Sequence, residues 1–335
     1  MGYKLKGKVI LITLLSLFAI GVLSYQLINK AYTDYVKSEK LKTSITIAER
    51  VSLLVHELQK ERGRTAGFLG SGGKTFSQEL KEQRKETDRR IAQLKEVLSM
   101  KTVQALPPKE REFFINLIND QLPKLIEIRN RVDNLSIPLN RAIEFYTRLN
   151  NKLIDSIGLL SSKSTNPEIA RELLSYADFM YAKEKAGLER AILSVAFANN
   201  KFLSNEHLEK FIDLMAQQKA FLKAFQLAAP ENVYQYYIKT VKSSVPYQEV
   251  KKYEELAISK SAEGNFNVDP DVWFQTITEK INLMKQVEDF IAKDLLHKIN
   301  QIIEESKHEL TTVIVISSIA LIIIGGTALL SLREG

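Results

Sequence analysis

Arg62 and Arg190 are the residues of this chain whose type and setting could do chemistry. Arg62 lies in Gln59-Lys60-Glu61-Arg62-Gly63-Arg64-Thr65, and Arg190 in Gly187-Leu188-Glu189-Arg190-Ala191. Each segment reads Glu-Arg-small, and each runs on to a Gly- or Asn-rich turn, Gly70 to Gly73 in one case and Asn199-Asn200 in the other. The two arginines stand 128 positions apart, a spacing that suggests a weak internal repeat. At helical spacing Arg62 falls on an apolar stripe with Val51, Leu54, Leu58, Thr65 and Leu69. Arg190 falls on one with Leu173, Tyr176, Met180, Gly187, Ser194 and Phe197, and Lys183 shares that face. Neither arginine has an acidic residue three or four positions away, so neither has an ion pair on its own helix. A guanidinium buried without a counter-charge is costly. Something from elsewhere must neutralise each one. A carboxylate from a neighbouring helix would make a structural pair, and a functional site is the other reading.

Other chemistries find little support. Gly70-Ser71-Gly72-Gly73-Lys74-Thr75 resembles a phosphate loop, but that loop needs glycine at position 68, where Phe68 stands. The segment also follows a helix, so a helix-ending turn is expected there. His56, His207, His297 and His308 show no metal-ligand spacing, and there is no cysteine. No metal site or cofactor is expected. No nucleophile elbow or other catalytic constellation is visible, so no catalytic residue is assigned and the chain reads as a non-enzyme.

The elements that must hold these arginines are helices. No stretch alternates as strands do. Prolines and glycines divide the middle of the chain into about eight helices, near 31–70, 75–101, 108–135, 137–162, 167–199, 204–228, 231–262 and 270–309. Pro123 should kink the third of these. Asn166-Pro167 and Asp269-Pro270 look like a cap followed by a first turn. Eight antiparallel helices with short loops suggest an all-α domain of two four-helix bundles.

At each end lies an uncharged apolar run, Val9 to Tyr25 and Leu310 to Leu332. Spanning a bilayer takes roughly 20 apolar residues. The first run is longer than a signal-peptide core and lacks a cleavage site, so an uncleaved anchor is expected. Lys4, Lys6 and Lys8 precede the first run and Arg333 follows the second, which places both termini in the cytoplasm. The expected layout is a cytoplasmic start at 1–8, a span at 9–29, an extracytoplasmic domain at 30–309, a span at 310–332 and a cytoplasmic end at 333–335. That describes a multi-pass membrane protein whose main domain is extracytoplasmic. The domain carries 43 basic and 39 acidic residues, a mild surplus that gives no reason to expect nucleic acid as a partner. Gly325-Gly326 would allow close helix approach in the membrane, and a homodimer is expected.

The segments HELQKERGRTAGFLGSGG, GLERA and DPDVWFQTITEKINLMKQVED occur in that order. Together they resemble the nitrate- and nitrite-sensing NIT domain family across about residues 45–305. The resemblance implies two four-helix bundles and a role for the motif arginines, here Arg62 and Arg190, in holding nitrate or nitrite. Two planar guanidinium forks could grip a planar trigonal anion from both sides, with the Thr65 and Ser194 hydroxyls as further donors. Where the family often has another arginine before the tryptophan motif, this chain has Lys251 and Lys252. Family members usually continue into an output domain after the second span. This sequence ends at Gly335, so a separate cytoplasmic signalling partner is expected. The expected function is a membrane sensor of nitrate or nitrite that relays through its second span. The alternatives are a same-fold module for another small organic anion or a partner protein, and a ligand-free interaction bundle.

Overall fold

The computed structural model describes residues 2–162, 164 and 166–333, with side chains described except at 2–6, 9, 328 and 331–333. Lys4, Lys6 and Arg333, used above for orientation, have side chains outside that set, and residues 334–335 lie outside it entirely. The described chain is helical throughout and holds no strand. It divides into two compact units, Ser44–Leu295 and the paired chain ends Met1–Thr43 with Leu296–Gly335.

The larger unit is the two-bundle domain. Its helices are α1 (Gly2–Gly70, in its later part), α2 (Ser77–Val97), a short α3 (Met100–Ala105), α4 (Pro108–Asn116), α5 (Leu122–Asp133), α6 (Leu139–Ser162), α7 (Pro167–Ala198), α8 (Asn205–Ala228), α9 (Glu231–Tyr237), α10 (Val245–Ser259) and α11 (Pro270–Arg333, in its earlier part). The local signals act as the residue types dictate. Asn166 Oδ1 accepts from the Glu168 and Ile169 N–H groups at 3.0 and 3.2 Å, with Pro167 in the first turn of α7. Asp269 Oδ1 accepts from the Asp271 N–H at 2.8 Å at the start of α11. α1 stops at Gly70, where Gly72 and Gly73 adopt positive φ and the Gly73 N–H returns to the Phe68 carbonyl at 2.9 Å.

Two expected helices are interrupted. The 108–135 helix contains a π-turn at Leu117–Gln121 immediately before Pro123. Proline brings no N–H and crowds the preceding turn, and the wider π spacing accommodates it without ending the helix. The 231–262 helix contains a second π-turn at Ile238–Lys242 and restarts at Val245, with Pro246 in the first turn of α10. The third helical stretch of each half thus contains a π-turn, which extends the repeat seen in the motifs.

Each bundle is centred on the glutamate of its Glu-Arg pair. In the first, Glu61 of α1 receives the Arg129 guanidinium of α5 through two 2.8 Å bonds and the Tyr146 hydroxyl of α6 at 2.7 Å. Arg129 also donates to Asp88 of α2 at 2.6 Å. In the second, Glu189 of α7 accepts from Gln218 of α8 at 2.8 Å, and Lys280 of α11 donates to Gln218 at 2.9 Å and lies 3.7 Å from Glu254 of α10. Apolar packing surrounds these centres. The α11 stripe Trp273, Ile277, Ile281, Met284, Val287, Ile291 and Leu295 is buried as its spacing predicts.

The smaller unit holds the apolar runs. Within it Ala31, Leu41, Ile299 and Ile303 are buried, and the Ser38 and Ser306 hydroxyls meet at 3.3 Å. Large apolar side chains face outward elsewhere, Phe18 at 73% exposed and Ile322 at 72%. α1 and α11 each contain a stretch long and apolar enough to cross a membrane.

Candidate anion site

Between the two bundles lies a cavity of about 390 Å³ whose lining includes His56, Arg62, Gly63, Phe76, Lys183, Gly187, Arg190, Phe274 and Thr278. The repeat builds it. The Arg62 Nη2 atom lies 3.4 Å from where a Cβ on Gly187 would sit, and the Arg190 Nη2 atom lies 3.6 Å from the equivalent point on Gly63. Each guanidinium thus reaches the glycine of the other motif. The two positive charges are close enough that Arg62 depresses the pKa of Arg190.

The two arginines have different partners. Arg62 is bound end-on by Glu184 of α7, through Nη1 to Oε1 and through Nη2 to Oε2 at 3.2 Å, and Nη1 also donates to the Thr147 hydroxyl at 2.9 Å. Glu184 in turn accepts from the Gln59 amide at 2.7 Å and is completely buried. Arg190 has no carboxylate partner among the described residues. Its Nη1 donates to the Thr278 hydroxyl at 2.8 Å, and its guanidinium carbon lies 4.7 Å from the centre of the Phe274 ring. Burial, with Arg62 nearby, pushes the Arg190 pKa down to about 10. At neutral pH it stays charged.

The tryptophan motif holds Arg190 in place. Trp273 Nε1 donates to the Arg190 carbonyl at 3.1 Å, Phe274 stacks on the guanidinium and Thr278 accepts from it. Three residues of one α11 segment thereby address one residue of α7. Phe76 borders the cavity from the other side. It adopts φ 65° as the residue before α2, and its ring rests on Gly67, where any Cβ would come within 2.5 Å of it. Gly67 is required for that contact.

Two further titratable groups at the cavity, Lys183 and His56, are respectively committed and neutral. Lys183 pairs with Glu288 of α11, which also accepts from Ser52 at 2.5 Å. Burial lowers the Lys183 pKa. Burial and the surrounding cationic groups Lys183, Lys285, Lys60 and Arg90 hold His56 far below the ordinary imidazole range, so it is neutral. Arg190 is therefore a half-buried positive charge at the cavity with no carboxylate partner, and Arg64, whose Nη1 donates to the neutral Gln83 amide oxygen, is a second cation on the lining.

Of the residues expected from sequence, Arg62 and Arg190 meet at this cavity, whereas Thr65, Ser194, Lys251 and Lys252 do not line it. Thr65 is fully buried near the Tyr146 hydroxyl. The Ser194 hydroxyl donates to the Arg190 carbonyl at 2.7 Å. Lys251 pairs with Glu254 at 2.5 Å and borders a different cavity, within the second bundle. Lys252 is exposed and pairs with Glu249 at 2.6 Å. Sequence reasoning missed Glu184, His56, Phe76, Phe274 and Thr278. Lys183 did leave a signal, as the one charged residue on the Arg190 stripe.

A family described as nitrate and nitrite sensing matches residues 53–296, a span that contains every residue lining the cavity. The chain belongs to this NIT family. The chain is similar to a nitrate regulatory protein from Klebsiella oxytoca, at 25% identity over 264 residues, covering 79% of this chain. The chain spans 65% of that relative's length. A solved structure of the NasR transcription antiterminator resembles it with a TM-score of 0.72 and 22% identity, over 93% of this chain and 84% of that one. At that identity the likeness is one of fold. It bears out the all-helical architecture.

Proposed function

We propose that this chain is a membrane-anchored sensor whose NIT domain holds nitrate or nitrite against Arg190, with Arg62 as a second donor. The observation that carries this reading is the half-buried Arg190 guanidinium on the cavity lining, without a carboxylate partner among the described residues. A nitrate there would supply the missing charge and accept N–H bonds in the guanidinium plane. The grip is one-sided rather than a symmetric clamp, because Glu184 already occupies most of the Arg62 fork. Nitrate is weakly hydrated and loses little in a cavity walled partly by Phe76 and Phe274. The apolar stretches of α1 and α11 cross the inner membrane in this reading, with both termini cytoplasmic and the NIT domain outside. Occupancy would be relayed along α11 to a cytoplasmic partner.

Calorimetric titration of the protein in detergent with nitrate, nitrite, chloride and sulfate tests the ligand. Saturable binding of nitrate and nitrite is expected, and binding of none of the four anions would overturn the assignment. Reporter fusions at the chain ends and near Pro167 test the topology, which fails if the end fusions report from outside. A Gly-Gly insertion near Lys307 should uncouple binding from response, and an unchanged response would remove α11 as the relay. Cysteine cross-linking along residues 25–45 should show a helical period if the protein is a homodimer, and flat cross-linking would count against one.

A further inference from the structure

The second bundle contains a larger cavity, of about 780 Å³, lined by α8, α9, α10 and the π-turn between the last two. It shares no lining residue with the cavity at Arg190. Its size falls in the range of organic-ligand pockets, about 300–1,000 Å³. Apolar and aromatic side chains wall it: Met215 and Leu222 from α8, Tyr234 and Tyr237 from α9, and Tyr247 from α10. The Tyr234 and Tyr237 ring centres lie 6.1 Å apart. The step from Tyr237 to Lys242 is the five-residue spacing of the π-turn at Ile238–Lys242, and both residues line the cavity. Tyr237 is only 5% exposed, yet its hydroxyl makes no hydrogen bond among the described residues. Burial, and after it the neighbouring Tyr247 and Tyr234 hydroxyls, raises the Tyr237 pKa, so the group is protonated and able to donate. A buried donor without an acceptor is costly, and a ligand oxygen would satisfy it.

The other polar groups on the lining set the sign of the ligand. Gln218 is committed to Glu189 and Lys280, and Glu254 to Lys251. Lys219, Lys223 and Lys242 are exposed, line the cavity and have no carboxylate partner among the described residues. The cavity thus offers tyrosine ring faces, a buried phenol donor and a set of unpaired lysines. We propose that it is a second ligand site, separate from the nitrate site above, for hydroxylated aromatic carboxylates. The flat body lies against Tyr234 and Tyr237, as aromatic pairs do. Its hydroxyl oxygen accepts from Tyr237, and its carboxylate faces Lys219, Lys223 and Lys242. The lysines keep their charge in water while the rings take the apolar part, so neither end of the ligand is buried against its chemistry.

The test is fluorescence titration of the full-length protein in detergent with 6-hydroxy-2-naphthoate, against protein-free micelles. Neutral 2,6-dihydroxynaphthalene and ring-free adipate serve as comparisons, the latter read by displacement. The acid should bind saturably, the neutral diol roughly tenfold more weakly, and adipate should not displace it. No saturable binding of the acid overturns the proposal. So does a diol that binds equally well, because the lysines then read no charge, or an adipate that displaces the acid as well as unlabelled acid does. Lys219→Gln/Lys242→Gln should lower affinity for the acid roughly tenfold, the scale of two exposed charge contacts. Tyr237→Phe should lower it at least roughly tenfold, the scale of one lost hydrogen bond to a ligand oxygen. If Tyr237→Phe does not fold, the exposed lysine pair decides the matter alone, and unchanged affinity there overturns the proposal. Arg190→Ala should leave binding of the acid unchanged. A loss in that variant would place the acid at the other cavity and overturn the second site.

Discussion

The two bundles carry the same dipeptide, Glu61-Arg62 and Glu189-Arg190, in opposite electrostatic conditions. In the first bundle both residues are matched. Glu61 is held by Arg129 and Tyr146, and Arg62 by Glu184. In the second bundle neither residue has a complete partner. Glu189 has the Gln218 amide in place of a guanidinium, and its Oε1 finds no hydrogen-bond partner among the described residues. Arg190 has a hydroxyl and a ring face in place of a carboxylate. A repeat that began with equivalent halves would then have divided its labour. In the function proposed above, the first half supplies an ion-paired wall and the second keeps an arginine without a carboxylate partner for a ligand. The lesson is that a motif arginine shows its role through its partners rather than its position.

Substitutions that break this contrast should differ most in stability. Arg62→Ala leaves Glu184 buried without its main partner and should cost ~3–5 kcal/mol in chemical denaturation, besides weakening nitrate binding. A loss below about 1 kcal/mol would mean the pair is not structural. Arg190→Ala removes a charge with no carboxylate to orphan. It should lower nitrate affinity at least roughly tenfold while leaving helical content unchanged by circular dichroism. Arg190→Lys should also lose affinity, since it keeps the charge and loses the fork.

The second bundle's glutamate gives a pH signature. Burial pushes the Glu189 carboxyl up to about 7 from 4.5, with the Glu254 carboxylate adding to the shift and Lys280 opposing it. The folded state therefore binds its proton more tightly than the unfolded chain does. The stability this contributes is present below about 4.5 and is lost as pH rises through about 7. Glu189→Gln should remove that decline, making the variant relatively more stable at pH 8 than at pH 5.5, as read from melting midpoints at the two pH values. An identical pH profile in parent and variant would show that Glu189 does not titrate there. The smallest effect is expected at the ring. Phe274→Leu should weaken the hold on Arg190 by ~0.5–2 kcal/mol, seen as a modest loss in nitrate affinity.

Much of this architecture was legible before any coordinates. Helical periodicity, the Asn166 and Asp269 caps and the Gly70–Gly73 stop mark out the helices, because these signals act within a few residues of chain. The π-turns were not legible, since proline announces a disturbance but not how the helix absorbs it. The arginines could be picked out as charges on apolar stripes. Their partners could not, because Glu184 and Thr278 are brought in by helix packing and carry no local mark. Thr65, Ser194, Lys251 and Lys252 had plausible chemistry, but each spends its polar atoms away from the cavity, on local bonds or in the core. Charge surplus at a site is a sum over helices distant in sequence, and only the fold performs it.

The most direct test of the unmet charge on Arg190 is thermal unfolding of Arg190→Met beside the parent, each with and without saturating nitrate. A half-buried cation without a carboxylate is a burden in the empty protein and an asset in the occupied one. The empty Arg190→Met protein should therefore melt at or above the parent's temperature and show no upward shift with nitrate, while the parent's midpoint rises. An empty variant that melts well below the parent and still gains stability from nitrate would contradict the account.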